Sequence, residues 1–171
     1  AELVQAGLVE RDAETRLYRL GPAVLRLAAV RERCFPAREA VAGHVAALAA
    51  DVGELVHVSL RQGLALSPLC HADAPVHATR VVFDEADLMP LHATSSGLAM
   101  LVFGPPDLLD RVLAAPRARY TGHTPVAAAD LTARVATARA RGWAACDEGF
   151  EADVVSQAVP LFGTGGPSGA A

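Results

Sequence analysis

Helical and strand-like spacings of apolar residues alternate along this 171-residue chain, and their order constrains the fold more than any other feature. Apolar residues three to four positions apart predict helices, which cover 23–34, 37–52, 95–103, 107–115 and 128–141. Short apolar runs between turn residues predict strands, which cover 54–61, 64–71, 76–83, 143–146 and 154–162. Strands enclosed by helices in this order predict an α+β fold, with helices packed on one face of an antiparallel sheet.

Two consecutive helices near the N-terminus carry apolar stripes. In helix 23–34 the stripe consists of Val24, Leu25, Leu27, Ala28 and Val30. In helix 37–52 the apolar residues at one face are Val41, Val45, Leu48 and Val52. Spacing of this kind places each set on one side of its helix.

Composition excludes several classes of protein. Hydrophobic residues make up 52% and charged residues 20% of the chain, which excludes a disordered tail. No apolar run reaches the roughly 18 residues that a membrane helix needs, so no membrane partner is expected. The net charge is −4, so the chain as given carries no strongly basic nucleic-acid footprint. Three unevenly spaced cysteines argue against a disulfide framework and a zinc ribbon, and predict reduced thiols in the cytoplasm.

The segment Thr94-Ser95-Ser96-Gly97 opens a predicted helix and is the most informative chemical feature. The first N–H groups of a helix lack partners within the helix and lie at the positive end of its dipole. Small residues allow close approach to these groups, so the segment suits a carboxylate or a phosphate. Taken alone, the segment favours the alternative of an ordinary Ser/Thr helix cap.

The last two predicted strands carry a second candidate. Cys146 ends one strand and Ser156 lies in the next, so both side chains would point into one cavity if the strands pair. The alternative for Cys146 is core packing, the usual role of a buried thiol. Between the strands, residues 147–153 hold four carboxylates, for which a solvated turn is the favoured interpretation. His57 and His71 could face each other across a hairpin.

The sequence lacks the common motifs for cofactors and metals. The sequence contains no phosphate-binding loop, no dinucleotide-binding glycine pattern and no nucleophile elbow, so we expect no cofactor. No two of the six histidines have metal-ligand spacing on a shared helix, so no metal is expected either.

A predicted hairpin at 8–20 follows what reads as the end of a helix at 1–6. Its arginines are Arg11, Arg16 and Arg19. A helix followed by a two-stranded basic hairpin is how a winged helix-turn-helix ends, and such arginines contact DNA phosphates. The alternative is a solvated hairpin neutralised by Glu10 and Glu14.

Four segments, in this order, resemble the IclR family of bacterial transcriptional regulators. The stretch 7–21 is similar to the family's wing and the entry to its linker helix. Leu91-His-Ala-Thr-Ser-Ser-Gly-Leu-Ala99 resembles the family segment LHATALGKA, and Tyr120-Thr-Gly-His-Thr124 resembles YTPHT. Gly142-Trp-Ala-Ala-Cys-Asp-Glu-Gly-Phe150 resembles GYAVDDEEF. The chain departs from these patterns at Leu98, Gly122 and Cys146, where the family often has Lys, Pro and Asp.

The resemblance implies three regions: the end of a winged helix-turn-helix at 1–21, a linker helix at 22–36, and a GAF-like effector-binding domain at 37–171. It also implies a homodimer or a dimer of dimers on operator DNA, bound through a mostly missing N-terminal domain, and a small organic or aromatic acid as effector. By position, the implied effector-binding residues are Ser95, Ser96, Gly97, Cys146, Ser156, Val81, Met89 and Val154. The last pocket strand is expected to begin beyond Ala171.

The sequence therefore predicts a ligand-responsive, DNA-binding transcriptional regulator, not an enzyme, of which this chain carries mainly the sensing domain. Two alternatives stay open. One is a small thiol-dependent enzyme that uses Cys146, which would need a thiol of low pKa beside a basic group. The other is a scaffold that only dimerises through helices 23–34 and 37–52, with the pocket around Met89 and Val81 filled by the protein's own side chains.

Overall fold

The computed structural model describes residues 2–73, 87–163 and 166–170, with side chains described throughout except at 166–168. The chain divides into two compact units, residues 1–41 and 42–171. The predicted strand at 76–83, and Val81 within it, lie outside the described residues. In the described part of the chain, none of the helices is both long and apolar enough to cross a membrane.

The first unit begins with a short helix and a hairpin. Its elements are α1 (Glu2–Gln5), β1 (Val9–Arg11), β2 (Tyr18–Leu20), α2 (Ala23–Cys34) and the start of α3 (Ala37–Val52). The strands β1 and β2 pair antiparallel, with Glu10 opposite Arg19. The predicted hairpin and both predicted helices are confirmed. Phe35-Pro36 separates α2 from α3, because proline cannot continue the preceding helix.

The apolar stripes of α2 and α3 are mostly uncovered in this chain. On α2 only Ala23 is buried, whereas Leu25 is 76% exposed. On α3 the buried residues are Val45 and Ala49, while Leu48 and Val52 are exposed. Of the predicted helix face Val41, Val45, Leu48 and Val52, only Val45 is buried within this chain, and the other buried residue of α3 is Ala49.

The second unit is built on a five-stranded antiparallel sheet. After α3 its elements are β3 (Val56–Gln62), β4 (Ala65–Ala72), β5 (Met89–Pro90), α4 (Ser95–Phe103), α5 (Leu108–Ala114), α6 (Ala128–Arg141), β6 (Ala144–Asp147), β7 (Val155–Ala158), β8 (Pro160–Gly163) and β9 (Gly166–Ala170). The sheet order is β5-β4-β3-β9-β8, and β6 and β7 form a separate two-stranded ribbon. The predicted combination of helices with an antiparallel sheet is confirmed.

Two sequence predictions at the C-terminal end are corrected. The run 154–162, predicted as one strand, divides at Val159 into β7 of the ribbon and β8 of the main sheet. Residues 166–170, predicted as small residues after a turn, form β9 between β3 and β8. The strand β9 therefore begins before Ala171. Position 169 requires a glycine, because a Cβ there would lie only 2.5 Å from the carbonyl oxygen of Ser59.

The core of the second unit surrounds α4. Residues 95–101 of this helix are all buried, and the helix contacts α6, β6, β7 and β9. Other fully buried side chains around it are Leu66, Leu91, Leu108, Leu131 and Val135. The predicted inward face of α6, with Leu131, Val135 and Ala138, is confirmed. Burial on all sides explains why α4 reads as almost continuously apolar after its first two serines.

Candidate functional site

The N-terminus of α4 lies inside the fold. Thr94 precedes the helix in an extended conformation, and its Oγ1 accepts the N–H of Gly97 at 3.0 Å. The same hydroxyl donates to the carbonyl of Pro90 at 3.0 Å. Ser95 and Ser96 follow, each only 2% exposed. Among the described residues no group accepts from the backbone N–H of either serine. Two amide donors at the positive end of the helix dipole are therefore buried together.

Gly97 is held by backbone packing. A Cβ at this position would lie 2.3 Å from the carbonyl oxygen of Leu91 and 2.5 Å from its Cα. The glycine therefore lets α4 approach the chain segment before it. Since the N–H of Gly97 is also bonded to Thr94, the predicted contact between Gly97 and an effector stays a prediction. The amides at this helix start that lack partners among the described residues are those of Ser95 and Ser96.

The ribbon β6–β7 brings Cys146 and Ser156 together. The two residues are directly opposite each other in the antiparallel register, so their side chains share one face. The predicted pairing of these strands is confirmed. The Sγ of Cys146 donates to the carbonyl of Ala93 at 3.1 Å. Because Ala93 precedes the capping residue Thr94, this face of the ribbon lies against the start of α4.

The thiol of Cys146 is in its neutral form. Burial raises its pKa above the ordinary value, and the backbone N–H of Gly149 and the charge of Arg134 oppose this shift more weakly. A buried thiol that donates to a carbonyl has little thiolate at neutral pH. This geometry does not provide the activated nucleophile that a thiol-dependent enzyme requires.

The turn between β6 and β7 is fixed by two threonines that sequence reasoning did not single out individually. Thr121 Oγ1 donates to the carbonyl of Glu148, and Thr124 Oγ1 donates to that of Gly149 at 2.7 Å. A Cβ at Gly149 would lie 2.4 Å from the Sγ of Cys146, so the turn packs directly on the thiol. The paired threonines in the segment Tyr120–Thr124, separated by two residues, were the available sequence signal.

The acidic residues 147–153 form the solvated turn that the sequence favoured. Asp147, Glu151 and Asp153 are exposed, and the turn closes with the N–H of Glu148 donating to the carbonyl of Val154 at 2.9 Å. In the residues that the structure describes, no three His, Cys, Asp or Glu side chains converge as a metal site would require.

The remaining predicted effector residues that the structure describes are Met89 and Val154. Met89 is buried in β5 opposite Leu66, and it precedes Pro90, which is bonded to Thr94. Val154 is half-buried at the base of the ribbon turn. The structure thus brings together Ser95, Ser96, Cys146 and Ser156, while Val81 lies outside the described residues.

The central hairpin carries a pair of histidines. His57 on β3 lies directly opposite His71 on β4, as the sequence suggested. The Nδ1 of His57 is 3.1 Å from the Oγ of Ser59, which is completely buried. Burial, with a smaller contribution from His71, lowers the pKa of His57 from its ordinary value of 6.5 to about 4. The imidazole of His57 is therefore neutral at pH 7.

The side chains of Arg11 and Arg19 make contacts within the hairpin of the first unit. Arg19 Nε donates to Glu10 Oε2 at 3.0 Å in an exposed ion pair. The guanidinium of Arg11 lies 5.6 Å from the ring centre of Tyr18, and Arg16 occupies a left-handed turn position with φ 63°. Contact between these arginines and DNA stays a prediction.

A concave surface among the described residues lies along α6. This groove of about 290 Å³ is lined by Arg134, Thr137, Arg141, Ala145 and Asp147 with two alanines of α6. Since side chains alternate along β6, Ala145 and Asp147 point away from the face that carries Cys146. The α6 groove is therefore separate from the buried start of α4.

Comparison with known proteins gives one family. Residues 35–171 match the family model of the bacterial transcriptional regulator IclR C-terminal domain. A protein assigned as an IclR transcriptional regulator from a Silicibacter species is 44% identical over 99% of this chain and 67% of its own, with a TM-score of 0.90. No curated protein matches the chain.

Two more distant solved structures share the fold. An IclR homologue from Microbacterium hydrocarbonoxydans, complexed with 4-hydroxybenzoate, is 24% identical, with 99% of this chain and 70% of that chain covered and a TM-score of 0.78. The IclR of Thermotoga maritima is 23% identical, with 99% and 68% covered and a TM-score of 0.78.

Proposed function

The chain belongs to the IclR family of bacterial transcriptional regulators, and on this premise we propose that residues 42–171 bind a small organic or aromatic acid at the start of α4. Binding of this effector regulates the attachment of the complete protein to its operator. The observation that carries the proposal is the pair of buried amides at Ser95 and Ser96, for which no described residue is an acceptor.

The buried helix start selects an anion. A carboxylate placed there accepts from the two amides and interacts favourably with the helix dipole, as anions do at helix N-termini. The apolar neighbour Met89 suits the non-polar part of such an acid. The thiol of Cys146 and the hydroxyl of Ser156 form the neutral polar side of the site, which suits a hydroxyl or keto group on the effector.

Effector binding regulates the protein by shifting a conformational equilibrium. A ligand changes the population of two arrangements only to the extent that it binds one of them more tightly. The helix α2 is the connection to the DNA-binding region, and its exposed apolar residues Leu25, Leu27 and Val30 support a homodimer formed along it. A homodimer or a dimer of dimers on DNA is therefore part of the proposal, as are phosphate contacts by Arg11, Arg16 and Arg19.

Calorimetric titration tests the sensing site. The probes are benzoate, 4-hydroxybenzoate and pyruvate, each with its amide, because 4-hydroxybenzoate is the ligand in one relative of the same fold. We expect at least one acid to bind and its amide to bind much more weakly. Ser96→Asp places a carboxylate at the helix start and should abolish binding of the acid by charge repulsion.

The matched control is Ala136→Asp, which adds the same charge at an exposed position of α6. It should bind the acid as the parent does. Circular dichroism establishes that both variants fold. If every acid fails to bind the folded parent chain, or if Ser96→Asp binds as tightly as Ala136→Asp, the site is not at the start of α4.

The dimerising scaffold without an effector has its own supporting observation, the uncovered stripe of α2. It predicts self-association by sedimentation without any bound acid in calorimetry. A parent chain that self-associates and also binds an acid excludes the scaffold as the whole function.

A further inference from the structure

Arg61 on β3 has a buried polar atom without a hydrogen-bond partner. Its Nε is buried, and no group among the described residues accepts from it. The side chain as a whole is half-buried, and in the described part of the chain no carboxylate forms an ion pair with it. A buried charged group is normally paired, because burial removes its hydration and only a partner compensates for that loss. Arg61 therefore offers a buried donor to an anion.

One edge of the Arg61 guanidinium is suited to a carboxylate. Nη1 donates to the carbonyl of Gly63 at 3.1 Å, in the turn between β3 and β4. This bond holds the guanidinium against the turn. Nε and Nη2 form another edge of the same plane, and neither of them donates to a described residue. Two parallel N–H groups on one edge match the two oxygens of a carboxylate.

The register places Arg61 on the face of the sheet that α4 covers. Arg61 is directly opposite Leu66 of β4, and Leu66 is in turn opposite Met89 of β5. Directly opposite residues of antiparallel strands point to the same face. Leu66 and Met89 belong to one buried cluster with the residues of α4. Arg61 therefore emerges on the same side of the sheet as α4, in one cross-strand row with Met89.

This row leads to the start of α4. Pro90, which follows Met89, accepts the hydroxyl of Thr94, the residue that caps α4. Neighbouring strands are about 4.8 Å apart, so two strand spacings, about 10 Å in all, separate the backbones of Arg61 and Met89. A separation of this order is comparable with the length of a small dicarboxylic acid.

We propose that the effector is a dicarboxylic acid, one carboxylate of which binds the amides of Ser95 and Ser96 while the other binds the Nε–Nη2 edge of Arg61. This inference rests on the proposed function, because it adds a second point of recognition to the same effector site. The second carboxylate gives the buried Nε an acceptor and the half-buried charge a counter-ion. Bidentate bonds between arginine and a carboxylate are among the strongest that a side chain makes. Arg61 is thus the residue that distinguishes a diacid from a monoacid.

Calorimetric titration with matched pairs of acids is the test. The diacids are succinate, adipate and terephthalate, each compared with its monoamide, which keeps the length of the molecule and one carboxylate. We expect at least one diacid to bind the parent chain about tenfold or more tightly than its monoamide, because hydrogen bonds between charged groups contribute strongly to binding. Arg61→Gln should lose this preference while it binds the monoamide as the parent does.

Two further variants control for charge and fold. Arg61→Lys keeps the charge without the planar fork, and it should retain only part of the preference for the diacid. Arg139→Gln removes the same charge at an exposed position of α6, and it should prefer the diacid as the parent does. Circular dichroism establishes that each variant folds.

Nuclear magnetic resonance gives a second readout on the parent chain. The signal of the Arg61 Nε–H group, identified by its loss in Arg61→Gln, should move when the preferred diacid is added and stay in place with the monoamide. A shift of this signal reports a contact at the Arg61 side chain itself.

The outcomes separate this inference from the proposed function. If monoacids bind but every diacid binds no more tightly than its monoamide, the effector is not recognised by Arg61, and the effector site at the start of α4 stands. A folded Arg61→Gln chain that keeps the preference for the diacid would overturn the inference in the same way. Failure of every acid, with one carboxylate or two, to bind the folded parent chain would remove both proposals.

Discussion

The cap of α4 by Thr94 gives the sharpest energetic prediction. Replacement of Thr94 by Val keeps the shape of the side chain and removes its hydroxyl. That hydroxyl accepts the N–H of Gly97 and donates to the carbonyl of Pro90, both at 3.0 Å. The variant therefore leaves a buried N–H and a carbonyl without their partner.

The magnitude follows from these two losses. Loss of a helix N-cap costs about 1 kcal/mol of stability, and a buried polar group left unpaired costs about 1–3 kcal/mol. Because the cap and the unpaired Gly97 N–H are partly the same loss, we expect Thr94→Val to lower the free energy of unfolding by about 2–3 kcal/mol. Thr94→Ser keeps the hydroxyl and loses one methyl group, so we expect the free energy of unfolding to fall by only about 0.8 kcal/mol.

Urea unfolding followed by the fluorescence of Trp143, the one tryptophan of the chain, measures both variants. Trp143 lies directly before β6 in the second unit, so its signal reports the unit that contains α4. Thr137→Val on α6 is the control, because Thr137 is exposed and its hydroxyl bonds only to the carbonyl of Ala133. It should change stability by less than about 0.5 kcal/mol. If Thr94→Val costs no more than Thr94→Ser, the cap does not stabilise the helix start and the reasoning is refuted.

Three further predictions compare single positions of the chain. Gly97→Ala forces a Cβ to within 2.3 Å of a backbone oxygen and should destabilise the chain by about 3 kcal/mol in urea unfolding. Gly43→Ala, where a Cβ meets nothing within 4 Å, should stabilise α3 by about 0.5–1 kcal/mol. A loss of stability in both the Gly97 and the Gly43 variant would contradict the packing described. Iodoacetamide at pH 8 should alkylate Cys34 and leave Cys146 unmodified until urea is added, because Cys34 is exposed and burial raises the pKa of the Cys146 thiol. Mass spectrometry measures both modifications. Rapid labelling of both cysteines would contradict the burial of Cys146. Arg117→Met removes donors to the carbonyls at the end of α5 and to the carbonyl of residue 126. We expect the free energy of unfolding to fall by about 2 kcal/mol, which lowers the midpoint of thermal unfolding by several degrees. The control Arg119→Met should leave this midpoint unchanged.

The amino-acid sequence determined the helices because their ends are set by neighbouring residues. Phe35-Pro36 separates α2 from α3, and Thr94 caps α4. Gly142 ends α6 in a left-handed conformation with φ 85° that glycine adopts without strain. These effects act over one or two turns, so a reader of the sequence can place them. The resemblance to the family segments, which are also local, predicts that Ser95, Ser96 and Cys146 belong to one effector site, and this stays a prediction.

The tertiary structure decided what depends on contacts between distant parts of the chain. Val159 divides one apolar run into two strands because β7 finds its partner in β6 and β8 finds its partner in β9. The small residues of β9 form a strand only because neighbours on both sides supply hydrogen bonds. Thr124 acquires its role through a carbonyl 25 positions later in the chain. Propensity is a property of a segment, whereas burial, register and the buried amides at Ser95 and Ser96 exist only once the packed elements exclude water.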